Sequence, residues 1–91
     1  MNIPAPPPVT FIPDRDVPAI SVLVVSPELH AWSIEVMSRL DGEEYFRRAA
    51  AMGTELMGFL GCLADADAYP RIYGPKWSYY MRVIDALSAR N

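Results

Sequence analysis

Apolar residues recur at helical spacing in three stretches of the chain, and we predict a helix in each. The first begins at Ser26-Pro27-Glu28, where a serine cap precedes a proline at the first helical position and an acid in the first turn. Glu35 and Arg39 have the spacing of an ion pair on its polar side. We expect it to end at Asp41-Gly42. Its apolar face consists of Leu29, Trp32, Val36, Met37 and Leu40.

The second predicted helix runs from about Glu43 to Ala64. Three glycines lie inside it, and each costs about 1 kcal/mol relative to alanine, so we expect another helix to approach closely there. The glycines are Gly53, Gly58 and Gly61. Apolar residues at alternating spacings of three and four resemble a coiled-coil seam: Phe46, Ala49, Gly53, Leu56, Leu60 and Leu63.

The third predicted helix opens at Gly74-Pro75, after a loop from Asp65 to Gly74. Its apolar stripe recurs at spacings of three and four residues and comprises Trp77, Tyr80, Val83, Ile84 and Leu87.

The segment before the helices is rich in proline, with six of the nine prolines in residues 1–18. Proline cannot donate to a hydrogen-bonded ladder, so we expect an extended arm, largely polyproline II near Ala5–Pro8. A disordered tail is the alternative. The apolar residues that can hold the arm in place are Ile3, Val9, Phe11 and Ile12.

Ile20–Val25 is dominated by β-branched residues and is a candidate strand. A strand needs a partner, and Val9–Ile12 can pair with this block across the turn-like Pro13–Asp16. Two alternatives are that a neighbouring chain supplies the partner strand, or that the block forms a short helix. The predicted fold is therefore mainly α: an extended proline-rich arm in residues 1–18, then a single small helical domain in residues 19–91. That domain is a three-helix bundle with, at most, a short β element.

Composition excludes several classes of protein. A net charge of −3 disfavours nucleic acid as the main partner. One cysteine cannot form an intrachain disulfide, and one histidine leaves little for metal ligation, so no metal or cofactor is expected. The longest apolar stretch, Ala49–Ala64, is short of the ~20 residues that span a bilayer and contains Glu55. We expect a cytoplasmic protein, or one inside a virion or other soluble assembly. Arginine outnumbers lysine seven to one and alanine is abundant, which suggests a GC-rich bacterial or phage genome and is compatible with a bacterial or phage accessory protein.

Candidate catalytic residues are few. A Cys62–His30 pair is conceivable in three dimensions, but Cys62 lies late in a helix, far from the end that lowers a thiol pKa. Asp65-Ala66-Asp67 opens like a calcium loop, yet the glycine and glutamate that such a loop requires are replaced by Pro70 and Lys76. No catalytic constellation is visible, so we expect a protein that is not an enzyme.

Tyr69–Arg82 combines five aromatic and three basic residues with no acid. Tyrosine, tryptophan and arginine dominate binding hot spots, because each couples a large buried area to a polar group. Packing of Trp77 and Tyr80 in the core is the alternative interpretation. The candidate interaction residues are Phe11, Ile12, Tyr69, Arg71, Tyr73, Lys76, Trp77, Tyr79 and Arg82.

The predicted function follows from an excess of apolar surface. Hydrophobic residues make up 52% of the chain, more than three short helices are expected to cover in a monomer. We expect a non-enzymatic interaction or assembly subunit: a structural component of a larger complex, or a small inhibitor or adaptor. The arm, the Ile20–Val25 block and the surface around Tyr69–Arg82 would make its contacts, with a protein partner or in a homo-oligomer. The alternative is a module that binds an anionic or nucleotide-like ligand at an oligomer interface.

Overall fold

The computed structural model describes residues 3–40, 43–65, 67 and 71–88. This part of the chain is mainly helical, as predicted, but it contains four helices rather than three, together with a two-stranded antiparallel sheet. The elements are β1 (Phe11–Pro13), β2 (Ser21–Leu23), α1 (Pro27–Leu40), α2 (Glu43–Ala51), α3 (Leu56–Ala64) and α4 (Gly74–Ser88).

α1 begins as its sequence predicts. The Ser26 hydroxyl oxygen accepts a hydrogen bond of 3.1 Å from the Leu29 N–H, which confirms the serine cap. Arg39 and Glu35 form the expected ion pair at 3.0 Å on the exposed side. Four of the five residues of the predicted apolar face are buried and Met37 is half-buried. The predicted stop at Asp41-Gly42 lies outside the described residues.

The prediction of one helix from Glu43 to Ala64 is wrong, because the chain leaves the helix after Ala51. Gly53 has a φ of +69°, a left-handed conformation that glycine adopts without steric cost. Its N–H donates to the Ala50 carbonyl at 3.0 Å, and the Thr54 N–H donates to the Ala49 carbonyl at 3.4 Å. These two bonds form a Schellman motif, which ends α2 and satisfies its last carbonyls.

The expected close approach of another helix at the remaining glycines is also absent from the described part of the chain. A Cβ built on Gly58 would meet no atom within 4 Å, and one on Gly61 would meet only the Met37 side chain, at 4.0 Å. These glycines therefore leave a shallow, open surface on α3.

The predicted stripe of α4 is confirmed, since all five of its residues are buried. α1 packs chiefly against α3, α2 against α4, and α4 against β2. Aromatic rings fill the junction: Phe59 stacks on Tyr80 with centroids 4.1 Å apart, and Trp77 lies 6.0 Å from Trp32. The described helices are all too short to cross a membrane as an apolar span.

Residues 3–10 have no regular secondary structure, and Pro4, Ala5 and Pro7 lie beside α1. The Trp32 indole N–H donates a hydrogen bond of 2.9 Å to the Pro4 carbonyl. Ile3 and Val9 pack on the edge of the core. A buried indole N–H requires an acceptor, and the N-terminal segment supplies it.

Candidate interaction surface

The two strands form a hairpin, as one of the sequence-based alternatives predicted. Ile12 pairs with Val22, and the Val24 N–H donates to the Thr10 carbonyl at 2.8 Å. At the other end, the Asp14 N–H donates to the Ile20 carbonyl at 2.7 Å. The regular strands are three residues each, so they are shorter than the Ile20–Val25 block.

A third segment extends the hairpin on the other side of β2. The Leu23 N–H donates to the Ile72 carbonyl at 2.8 Å, and Val22 pairs with Tyr73 in an antiparallel bridge. Tyr73 immediately precedes α4, so the bridge joins the start of α4 to the hairpin. Sequence reasoning did not foresee this contact, because the two segments are far apart along the chain.

Side chains alternate between two faces of this small sheet. The inner face packs on the core and includes Phe11, Leu23 and Ile72, the last two of which are buried. The outer face carries the residues of opposite parity. They include the polar residues Thr10 and Asp14, which lie opposite Val24 and Ile20. We call the apolar residues of this outer face the hairpin face: Ile12, Ile20, Val22, Val24 and Tyr73.

The hairpin face is apolar and largely open to solvent. Ile12 is 49% exposed, Ile20 is 39% exposed and Val24 is 38% exposed, whereas Val22 and Tyr73 are half-buried. Val17, in the adjoining loop, is 46% exposed. Four of the seven large hydrophobic residues that are exposed among the described residues therefore lie in the hairpin or its loop.

The loop between the strands is held by Asp14, whose side chain is almost fully buried. Its Oδ2 atom accepts hydrogen bonds from the N–H groups of Asp16 at 3.3 Å and Val17 at 3.0 Å. An aspartate bonded to the backbone two and three residues further on is typical of a tight turn. This residue was not among the sequence-based candidates, although an aspartate after Pro13 is a recognisable turn signal.

Arg71 joins this loop to the segment that precedes α4. Its guanidinium pairs with Asp16 and lies 3.5 Å from an Asp14 carboxylate oxygen. The hydrogen bond to Asp16, followed by the charge of Asp14, raises the pKa of Arg71 above its ordinary value. Arg71 therefore contributes to the folded hairpin and offers its charge to a ligand only if it gives up these carboxylates.

The structure divides the other candidate residues between core and surface. Trp77 lies in the core and Phe11 is half-buried on the inner face of the hairpin, whereas Ile12 lies on the outer face. Tyr79 is 39% exposed, and its ring meets the edge of Tyr80. Tyr69 lies outside the described residues.

Two of the three basic residues of Tyr69–Arg82, Lys76 and Arg82, do not share one surface. Lys76 and Arg82 are both exposed on α4, but six residues of helix place them about 120° apart. Lys76 lines a cleft of about 250 Å³ between α3 and α4 together with Glu55 and Cys62. A binding site for an anion needs convergent positive charge, and no described contact brings these three cations together.

His30 has a structural contact rather than a partnership with Cys62. Its Nε2 atom donates to the Ala64 carbonyl at 2.7 Å and so ties α1 to the last residue of α3. Cys62 is exposed. In the described ranges, no three histidine, cysteine, aspartate or glutamate side chains are grouped so that they could hold a metal ion.

Comparison with protein-family models, with curated proteins and with solved structures finds no match to this chain.

Proposed function

We propose that this chain is a non-enzymatic protein–protein interaction or assembly subunit, and that the hairpin face is its principal contact surface. The observation that carries the proposal is the exposure of this face, which combines β-branched side chains with an aromatic one. Contiguous apolar surface on a small protein is typical of a site where another molecule docks.

The sequence of β2 and its flanks supports this proposal. An antiparallel sheet with one face in water alternates apolar and polar residues, whereas a strand covered on both faces is apolar throughout. Ile20–Val25 contains a single polar residue, Ser21. The core covers Leu23 and part of Val25 on the inner face of this block, whereas Ser21 on the same face is exposed. The apolar residues of the outer face, Ile20, Val22 and Val24, match their surroundings better when a partner covers them.

Two forms of this function are open to the chain. A structural subunit contributes to a larger complex and is incomplete alone, while an inhibitor or adaptor folds by itself and then docks. Sixteen hydrophobic residues are buried among the described residues, from α1 through α4 and the hairpin, which supports independent folding. Expression of the isolated chain separates the two forms, because an obligate subunit is expected to aggregate or remain partly unfolded.

The proline-rich arm is the second proposed contact region. Its carbonyl at Pro4 and its side chain at Ile3 already bind to the helical part of the same chain. Pro6 and Pro8 are exposed, so a partner can reach them. Extended proline-rich segments bind with little loss of conformational entropy, because they are already restricted before binding.

Site-specific photo-crosslinking in the cells that make the protein tests the proposal. A photoreactive residue at Ile12 is expected to capture protein, whereas the same probe at Ile34 is not. Ile34 is a matched control, since it is 48% exposed against 49% for Ile12 but lies on α1. Absence of adducts at position 12, or the same adducts at both positions, would count against the hairpin face as a contact surface.

A further inference from the structure

We infer that the surface of α1 around Trp32 binds a proline-rich segment of another protein, one that carries a basic residue beside its prolines. The chain's own N-terminal arm occupies this site until such a partner displaces it. The site shares no residue with the hairpin face, so it can bind a partner whether or not the hairpin face does.

The contact between Trp32 and the arm has the chemistry by which proline-rich peptides are recognised. The Trp32 indole N–H donates a hydrogen bond of 2.9 Å to the Pro4 carbonyl, and Ala5 and Pro7 lie beside the same helix. A polyproline II segment has no internal hydrogen bonds, so its carbonyls are free to accept one, and aromatic-lined grooves bind such segments. One segment of this kind is already seated on α1, which indicates what class of chain the site fits.

The face of α1 beneath the arm has the length of a short extended segment. Glu28 and Glu35 are two helical turns apart, about 10 Å, and Ala31 and Trp32 lie between them on the same side. Residues 4–7 can span about 9 Å at the rise of a polyproline II segment. A shallow cleft of about 420 Å³ nevertheless remains between the arm and α1. The arm therefore fits this face in length but does not fill it.

The charges on this face are not matched by the arm. Glu28 and Glu35 are both exposed, while residues 1–9 contain no charged side chain. Glu35 pairs with Arg39 of the same helix, whereas Glu28 makes no ion pair with any residue that the structure describes. An arginine or lysine beside the prolines of a partner would meet the Glu28 carboxylate, a contact that the arm cannot make. Charge complementarity therefore favours such a partner over the arm.

The arm is held by few contacts, so it can be displaced. Among the described residues, one hydrogen bond from Trp32 and the partly buried side chains of Ile3 and Val9 tie residues 3–9 to the rest of the chain. The arm is nevertheless covalently joined to its site, and a short tether gives an effective concentration in the millimolar range. A free peptide must therefore be supplied at a similar concentration, or the hold of the arm must be loosened.

Peptide titrations of the full, isotope-labelled chain, followed by the Trp32 indole N–H resonance in NMR spectra, test the inference. Three peptides with blocked termini carry the sequence of residues 3–9, Ile-Pro-Ala-Pro-Pro-Pro-Val. One has no addition, one has arginine at both ends and one has glutamate at both ends. The arginine peptide is expected to shift the resonance at about 1 to 5 mM and to bind about threefold or more tightly than the other two.

A full-chain variant with a loosened arm tests whether the arm and the peptide compete. Ile3→Ser removes an apolar contact of the arm and leaves α1 unchanged, so the site is free in a larger fraction of molecules. The arginine peptide should then bind about three- to fivefold more tightly. Unchanged or weaker binding to Ile3→Ser would mean that the arm is a fixed part of the fold, and would overturn the inference.

Glu28→Gln tests the source of the charge preference. It should lower the preference for the arginine peptide over the unmodified one by about twofold or more. Asp85→Asn, at an exposed position on α4, makes the same change in net charge and should leave that preference unchanged. Both positions are exposed, so the fold is expected to be preserved in both variants. Equal effects of the two substitutions would assign the preference to overall charge and would count against the site.

The remaining outcomes identify other occupants or none. Equal binding of the unmodified and arginine peptides would point to the arm of a second copy as the occupant, and would overturn the inference. A Trp32 resonance that no peptide shifts, in the unmodified chain and in Ile3→Ser, would overturn it as well. Photo-crosslinking from Ile12 reports on the hairpin face alone, so either result leaves the other site untouched.

Discussion

Substitution by alanine is expected to have opposite effects on stability at Gly53 and at Gly58. Together the two variants test how the central part of the chain is folded. Gly53 lies in the left-handed turn that ends α2, while Gly58 lies inside α3 with ordinary helical geometry. A Cβ added at either position would meet no atom within 4 Å. Steric contact is therefore the same in both variants, and backbone conformation alone distinguishes them.

The magnitudes follow from the two conformations. An L-residue in the left-handed region costs about 1 to 2 kcal/mol, partly offset because alanine lowers the entropy of the unfolded chain by about 0.4 to 1 kcal/mol. Gly53→Ala should therefore destabilise the fold by about 1 kcal/mol. Inside a helix, alanine is favoured over glycine by about 0.8 to 1 kcal/mol. Gly58 is the third residue of α3, so Gly58→Ala should stabilise the fold by up to about that amount.

Thermal unfolding followed by circular dichroism, at a concentration where each variant is monomeric, measures both effects. For a chain of this size, 1 kcal/mol corresponds to about 4–8 °C in Tm, downward for Gly53→Ala and upward for Gly58→Ala. An unchanged or higher Tm for Gly53→Ala would mean that residues 43–64 form one continuous helix in solution. A lower Tm for Gly58→Ala would mean that another backbone packs on α3, as the glycine spacing suggested at the outset.

Two further predictions concern the hairpin loop and alkaline pH. Asp14→Ala removes a buried acceptor of two backbone N–H groups and should cost about 2 kcal/mol in chemical unfolding, whereas Asp16→Ala, at an exposed position, should cost less than about 1 kcal/mol. Equal losses would refute the role of Asp14 in holding the loop. Burial, followed by the charge of Glu55, raises the pKa of Tyr80 above its ordinary value of 10.0. As pH rises, Tyr80 loses its proton in the unfolded chain before it does so in the folded one. The stability that protonated Tyr80 contributes to the fold is therefore complete below pH 10 and is lost as pH rises through the pKa of Tyr80 in the folded chain. Tyr80→Phe should flatten the alkaline decline in Tm, and an unchanged decline would contradict this cause.

Local signals explain most of what the sequence predicted correctly. The start of α1 depends on Ser26 and Pro27, which are adjacent, and the buried stripe of α4 follows from spacings of three and four residues. The end of α2 was missed, although its signal was also local. A glycine inside an apolar periodic stretch is compatible either with a helix interior or with a left-handed stop. Only the backbone at Gly53 distinguishes the two.

The candidate surface was less predictable, because its geometry depends on contacts between distant segments. Ile12 and the Ile20–Val25 block were identified as contact regions, but which of their residues face outward depends on the register of the hairpin. Arg71 and Asp16 are separated by 55 positions, so nothing local indicates that they pair. Of the two interpretations of Tyr69–Arg82, core packing applies to Trp77 and Tyr80, and the geometry of α4 places Lys76 and Arg82 about 120° apart.

The apolar surplus that the composition indicated has a definite location among the described residues. The helices bury their apolar stripes within the chain: Trp77, a candidate interaction residue for which core packing was the alternative, packs with Trp32 and Phe59. Four of the seven exposed large hydrophobic residues lie instead in the hairpin and its loop, where Ile12 and Val24 are exposed although β-branched residues suit a covered sheet. A helix can hide one stripe and leave its other side polar, but a strand apolar on both sides needs a layer on each. Because the described part of the chain supplies only one such layer, the hairpin is the place at which we propose that a partner binds.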